Sequence, residues 1–343
     1  MNINGYRITL DEAIEYIKEN NCKKILLQIP EGLKPFLETL VGEIKKETDC
    51  EILVHGGPCY GACDLLTKID TSMLDIDIVL HIGHLPIPSL LFREDIAPTI
   101  YVNAVSTAEI TNNLLEDIPS KLRGEVIGLT TTAQHIHLLP VVREYLVEKG
   151  FKPIFSDGDN RISERGQILG CNYTAATRIM DEVDSYLFIG SGLFHPLGLR
   201  LATRKPVTIV DPISKQIVYE ELEEKRDAIL RQRFAAITVA REASNYGILV
   251  GLKPGQQRLK LAERIQKMVE EKEKKGFIIA LDNFSPQVLE GFLEVDCYIS
   301  TACPRIAIDD YHMYKKPILT PVELEIALGL RNWDSYEFDQ ILK

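Results

Sequence analysis

The stretch Ile76-Asp77-Ile78-Val79-Leu80 recurs as Val183-Asp184-Ser185-Tyr186-Leu187 and again as Val295-Asp296-Cys297-Tyr298-Ile299. A period of roughly 110 residues is that of a domain-sized repeat rather than a solenoid. Around each copy, short continuous apolar runs alternate with amphipathic helical patterns. In the first third the expected strands are Lys24 to Gln28, Glu51 to His55, Ile78 to Ile82 and Thr99 to Asn103. The second third repeats them at 125–130, 152–156, 185–189 and 206–210, and the last third at 246–252, 276–281, 297–301 and 317–319. Apolar runs of this length suit parallel strands covered on both faces. The pattern predicts an α/β chain of three homologous domains, at residues 1–120, 121–243 and 244–343. Each is expected to be a small parallel sheet with flanking helices, and the three to surround a pseudo-threefold centre. A charge-laced helix is expected over Ile213 to Arg241, joining the second domain to the third.

The 343 residues carry a net charge of −11 and are 45% hydrophobic. Those values fit a soluble globular chain and argue against nucleic acid or an anionic membrane surface as a partner. No run of about eighteen apolar residues exists, so no membrane span is expected. Met1 to Leu10 has no apolar core of the signal-peptide kind, so a cytoplasmic location is expected. The seven cysteines, at 22, 50, 59, 63, 171, 297 and 303, are an odd number. In such a chain they read as cytosolic thiols or metal ligands rather than a disulfide framework.

Three of them sit in turn chemistry after a strand: Tyr60-Gly61-Ala62-Cys63-Asp64, Leu169-Gly170-Cys171-Asn172 and Thr301-Ala302-Cys303-Pro304-Arg305. Ligands of open parallel sheets bind outside the carboxyl ends of the strands. Three thiolates on equivalent sheet edges are the protein ligand set of a [4Fe–4S] cluster with one open iron. Cys22, Cys50 and Cys297 read as small buried hydrophobes. Cys59 forms C-x3-C with Cys63, but Leu66 stands where a conventional radical S-adenosylmethionine signature has its third cysteine. Its place, as a spare thiol, a fourth ligand or a substitute for Cys63, stays open. Zinc is a weaker alternative, because structural zinc sites bring closely paired ligands. No P-loop or G-x-G-x-x-G is present, which argues against an ATP or NAD enzyme.

Six segments in order resemble the family that performs the first step of diphthamide biosynthesis. They are Tyr60 to Asp64, Gly83-His84, Thr131 to His135, Gly166 to Cys171, Phe188 to Pro196 and Ala302 to Asp310. The resemblance implies a [4Fe–4S] cluster on Cys63, Cys171 and Cys303, with S-adenosylmethionine as the second cofactor. It implies that the reduced cluster cleaves the sulfonium at the γ-carbon of the methionine moiety. Methylthioadenosine leaves, and the 3-amino-3-carboxypropyl radical adds to a histidine of translation elongation factor 2. It further implies a homodimer and an electron donor.

Arg305 is a candidate clamp for the substrate carboxylate, with pairing to Asp309 or Asp310 as the structural alternative. Gln28 and Glu31 are candidate contacts to the ribose or amine, and Glu31 is equally suited to a helix first turn. Gln134 and His135 are the candidate catalytic side chains, His135 as a proton shuttle or a contact to the incoming histidine. Two other classes are consistent with three cysteines on three α/β repeats: a hydro-lyase resembling quinolinate synthase, and a non-catalytic cluster-bearing electron-transfer subunit.

Overall fold

The computed structural model describes residues 1–342. Three sheets built on parallel strands follow one another along the chain. The first is ordered Glu51–Val54, Lys24–Gln28, Ile78–Ile82, Thr99–Val102. The second runs Gln216–Val218, Val207–Asp211, Ser185–Ile189, Val126–Thr131, Lys152–Ile154. The third runs Lys275–Leu281, Asn245–Gly251, Cys297–Ser300, Ile318–Leu319. In every sheet the strand first in sequence is central, its second strand lies on one side, and its third and fourth lie on the other. This shared order gives the α/β expectation its physical form.

The repeated aspartate explains why the self-similar stretch recurs. Asp77 Oδ2 accepts the backbone N–H groups of Lys23 (2.6 Å) and Lys24 (2.9 Å). Asp184 does the same for Glu125 and Val126 (2.8 and 2.9 Å), and Asp296 for Ser244 and Asn245 (3.0 and 2.8 Å). Each carboxylate satisfies donors at the start of a central strand, where the ladder has not begun. The two N–H groups hold the Asp77 carboxyl below its usual range. Gly124, at φ 87°, approaches Asp184 so closely that an added Cβ would meet that side chain at 2.2 Å. Only glycine supplies that backbone without a clash.

Every expected strand is present, with ends shifted by one or two residues, as fraying allows. Two features differ from expectation. The helix expected from Ile213 begins only at Glu220 and runs to Arg241. Before it, Asp211 Oδ1 accepts from Ile213 N (2.8 Å) and Ser214 N (3.2 Å), and Lys215 takes φ 58°. That turn sends Gln216–Val218 back beside Val207–Asp211. The second difference is a small antiparallel sheet of Asn2–Ile3, Tyr6–Ile8 and Ala104–Ser106. Pieces this short carry too little periodicity to be read from sequence.

The chain divides into two compact units. The first comprises residues 1–168, 174–191 and 209–217, and contains the first sheet and most of the second. Its cores are built on Ile25, Leu27 and Leu80 in one sheet and on Ile127, Leu129 and Leu187 in the other, all fully buried. The second unit comprises residues 169–173, 192–208 and 218 onward, and contains the third sheet with the long helix. Its core includes Ile248, Ile299 and Leu319. Burying each such side chain contributes about 1.5–3 kcal/mol before entropy is counted. No helix among the described residues is long and apolar enough to cross a membrane.

Candidate functional site

In the first unit the strand Lys24–Gln28 ends on a buried amide. Gln28 Nε2 donates to the Asp64 carbonyl at 2.5 Å, and Gln28 Oε1 lies 2.7 Å from His81 Nδ1. Asp64 folds its own loop, accepting from Tyr60 N (2.6 Å) and Gly61 N (3.1 Å). The segment that carries Cys63 is therefore braced from the sheet by Gln28 and internally by Asp64. Both polar ends of the Gln28 amide are occupied by protein groups. Cys63 itself is half-buried, and its charge adds to burial in pushing the nearby Tyr101 phenol up to about 12, burial being the larger cause.

His81 also faces His84, Nε2 to Nδ1 at 3.0 Å, and Cys59 Sγ at 3.9 Å. Burial holds the His81 imidazole down at about 3 and that of His84 at about 4, so both are neutral at pH 7. Glu31 opens the 3₁₀ turn Glu31–Phe36 and pairs with Lys34 Nζ at 2.6 Å on the exposed side of that turn.

Gln134 and His135 lie in the 3₁₀ segment Ala133–Leu138 at the end of the strand Val126–Thr131. Gln134 Nε2 donates to the Gly83 carbonyl at 2.9 Å. His135 is buried, with Nδ1 3.4 Å from Thr132 Oγ1 and Nε2 without a hydrogen-bond partner among the described residues. Burial, reinforced by His137 and opposed by Asp211, lowers its imidazole to about 4. The imidazole is therefore neutral at pH 7, and its unengaged nitrogen is open to a hydrogen bond from a group brought to it.

In the second unit Cys171 and Cys303 share a neighbour. The hydroxyl of Tyr173 lies within electrostatic reach of both thiols and of Arg305 and Asp309, and burial raises its pKa, keeping the phenol protonated. Tyr173 fits because residue 198 is glycine: an added Cβ there would sit 1.8 Å from the Tyr173 hydroxyl. The Cys171 turn is pinned by the C-terminal segment, with Ile341 N donating to the Cys171 carbonyl (2.8 Å) and Asn172 Nδ2 to the Ile341 carbonyl (3.0 Å). Arg258 clamps the other side, donating Nε to the Thr301 carbonyl at 2.5 Å and Nη2 to Asp339 Oδ2 at 2.5 Å.

Arg305 is 4% exposed, and its guanidinium lies 3.5 Å from the centroid of the Phe194 ring. Its Nη2 donates to Asp309 Oδ1 at 2.7 Å, so the loop brace is present. Its Nη1 is buried and has no hydrogen-bond partner among the described residues. A buried guanidinium donor without a partner is costly and suits an incoming carboxylate. Burial lifts the Asp309 carboxyl above its usual range despite Arg305 beside it.

Sequence reading did not single out His81, Tyr173, Phe194 as a stacking partner, or the C-terminal segment at Asp339 to Ile341. The meaning of each comes from what folds against it. The one signal was the position of Phe194 inside the segment Phe188 to Pro196.

The pattern of the diphthamide synthesis protein family matches residues 29–338. A 2-(3-amino-3-carboxypropyl)histidine synthase of Pyrococcus horikoshii is 40% identical over 338 residues, covering 98% of this chain and 94% of that protein. The protein of the same name from Methanocaldococcus jannaschii is 33% identical, covering 96% and 90%. Among solved structures, Dph2 from Pyrococcus horikoshii with a 4Fe-4S cluster superposes with a TM-score of 0.87 at 38% identity, covering 98% of this chain and 94% of that one. This chain belongs to the diphthamide synthesis family.

Proposed function

We propose that this chain transfers the 3-amino-3-carboxypropyl group of S-adenosylmethionine to a histidine of translation elongation factor 2, releasing methylthioadenosine. It is an aminocarboxypropyl transferase with a [4Fe–4S] cluster, as its synthase relatives and the cluster-bearing Dph2 structure support. The observation that carries the residue assignment is the pair Cys171 and Cys303 disposed about one buried tyrosine, next to a guanidinium with an unengaged donor. Two thiols in this setting suit the soft, thiolate-rich donor set that iron–sulfur clusters take. We assign Cys63, Cys171 and Cys303 as the ligands, one from each of three homologous repeats at 1–120, 121–243 and 244–343.

When bound, the cluster supplies one electron to the sulfonium. The chain's own residues bind and orient. Arg305, held flat by Phe194 and anchored by Asp309, offers Nη1 to the substrate carboxylate. Glu31, at the rim of the first sheet, contacts the ribose or amine. Gln28 acts on the site through the Cys63 loop that it holds. Rearomatisation removes one proton and one electron from the adduct: His135 Nε2 would take the proton, the electron would return to the bound cluster, and Gln134 fixes the adjoining turn against Gly83. The enzyme works as a homodimer in the cytoplasm and draws its electron from a separate donor.

The test is an anaerobic assay of the reconstituted protein with S-adenosylmethionine and dithionite, resolving the nucleoside products. Methylthioadenosine is expected. 5′-Deoxyadenosine would assign the more common radical cleavage instead, and no cleavage by a fully loaded protein would remove the transferase reading.

A further inference from the structure

Among the described residues, one cluster of metal-binding side chains remains after the three motif cysteines are assigned. Cys59, His81 and His84 each offer one ligand atom, and the three atoms lie within 4.8 Å of one another. We propose that these three residues bind a single divalent ion of the zinc class, at a site separate from the thiols of Cys63, Cys171 and Cys303.

The triangle has the right size. The Cys59 Sγ to His81 Nε2 edge is 3.9 Å and the His81 Nε2 to His84 Nδ1 edge is 3.0 Å. A tetrahedral ion with Zn–S near 2.3 Å and Zn–N near 2.0 Å needs ligand edges of about 3.3–3.6 Å. Both edges lie a few tenths of an ångström from that range.

The tautomer is right as well. Gln28 Nε2 donates to the Asp64 carbonyl, so its Oε1 faces His81 and can only accept. His81 Nδ1 therefore carries the hydrogen, and His81 Nε2 presents a lone pair toward Cys59 and His84. A second-shell amide that fixes the tautomer and ring of a histidine is the usual support for a metal ligand. Cys59 and His81 are buried while His84 is half-buried, which leaves a fourth position for water. One thiolate with two imidazoles is a donor set that zinc favours, whereas an iron–sulfur cluster takes mainly thiolates. The ion would staple the segment four residues before Cys63 to the strand Ile78–Ile82 and the turn beyond it.

The experiment uses the full chain, reconstituted anaerobically with iron and sulfide, exposed to zinc and then dialysed. About one zinc per chain, alongside about four irons, is expected. In Cys59→Ala and in His81→Ala the zinc should fall at least tenfold with the iron unchanged. Retained iron shows that the variant has folded. Zinc K-edge absorption on the unmutated protein gives a readout independent of variants, and one sulfur with nitrogen or oxygen neighbours is expected. A shell of three sulfurs would place zinc on the cluster thiols and overturn the proposal. So would an absence of zinc in the unmutated protein, zinc that persists in both variants, or loss of iron in Cys59→Ala. Methylthioadenosine formation is scored separately, so the transferase reading and the zinc site can each fail alone.

Discussion

Arg233→Met should be among the most damaging single substitutions in the second unit, although Arg233 lies outside the proposed chemistry. Both Arg233 and its partner Glu323 have no exposed side-chain surface. Arg233 Nε reaches Glu323 Oε1 at 2.7 Å and Nη2 reaches Oε2 at 2.5 Å. Nη1 donates to the Ala307 carbonyl (2.7 Å) and Gln232 Oε1 (3.4 Å), and Nη2 also to the Ile318 carbonyl (2.6 Å). All five guanidinium hydrogens are thereby placed. The carbonyl of Ala307 belongs to the short helix Arg305–Ile308 that follows Cys303, so the arginine also supports the cysteine loop. Methionine leaves a buried carboxylate and two orphaned carbonyls, at a cost of about 3–5 kcal/mol. Changing Glu323 to Gln in the same chain removes the stranded charge, so the double variant should recover about 1–3 kcal/mol. Trp333 is the only tryptophan, and it packs on Phe234 and on Tyr336, whose hydroxyl bonds Glu323 at 3.2 Å. Its fluorescence therefore reports unfolding beside the pair. With a urea dependence of roughly 2 kcal/mol per molar, the single variant should lose about 2 M in midpoint. A loss below about 0.5 M, or a double variant destabilised by the sum of the two singles, would refute the reasoning.

Arg305→Lys should reduce kcat/KM for S-adenosylmethionine by about 10–100-fold, mainly through KM, because lysine cannot present the guanidinium fork. Iron content should be retained. An unchanged KM with lost iron would make Arg305 only a brace for the Cys303 loop through Asp309. His135 carries a pH signature: its folded value near 4 lies below the unfolded 6.5. The neutral form is favoured by the fold, so that stability is complete above pH 6.5 and is lost progressively as pH falls toward 4. Between pH 7 and 5 His135→Asn should therefore gain on the unmutated protein by about 2 kcal/mol in denaturant titrations. Parallel stability curves for the two proteins would show that His135 is not buried in its neutral form.

The repeat Ile76 to Leu80, Val183 to Leu187 and Val295 to Ile299 was enough to predict three parallel sheets, because apolar runs and a period are local properties of a sequence. The motif segments were likewise enough to identify the family and to select Cys63, Cys171 and Cys303. What the sequence could not carry is long-range pairing between residues that are unremarkable on their own. Gln28 reads as a ligand contact at a strand end, yet the fold spends both ends of its amide on Asp64 and His81, residues 36 and 53 positions away. Cys59 reads as an ambiguous companion of Cys63, and only the packing of the loop against Ile78–Ile82 brings it to two histidines. Tyr173 and Phe194 are ordinary apolar residues until Gly198 makes room for one and Arg305 stacks on the other. The sequence by itself determined the sheets and the family and nominated the three thiols, since these follow from residue type and spacing. Tertiary structure alone decided which polar atoms are buried, which of them are satisfied and which are left to meet a ligand, because desolvation depends on every chain segment that closes around them.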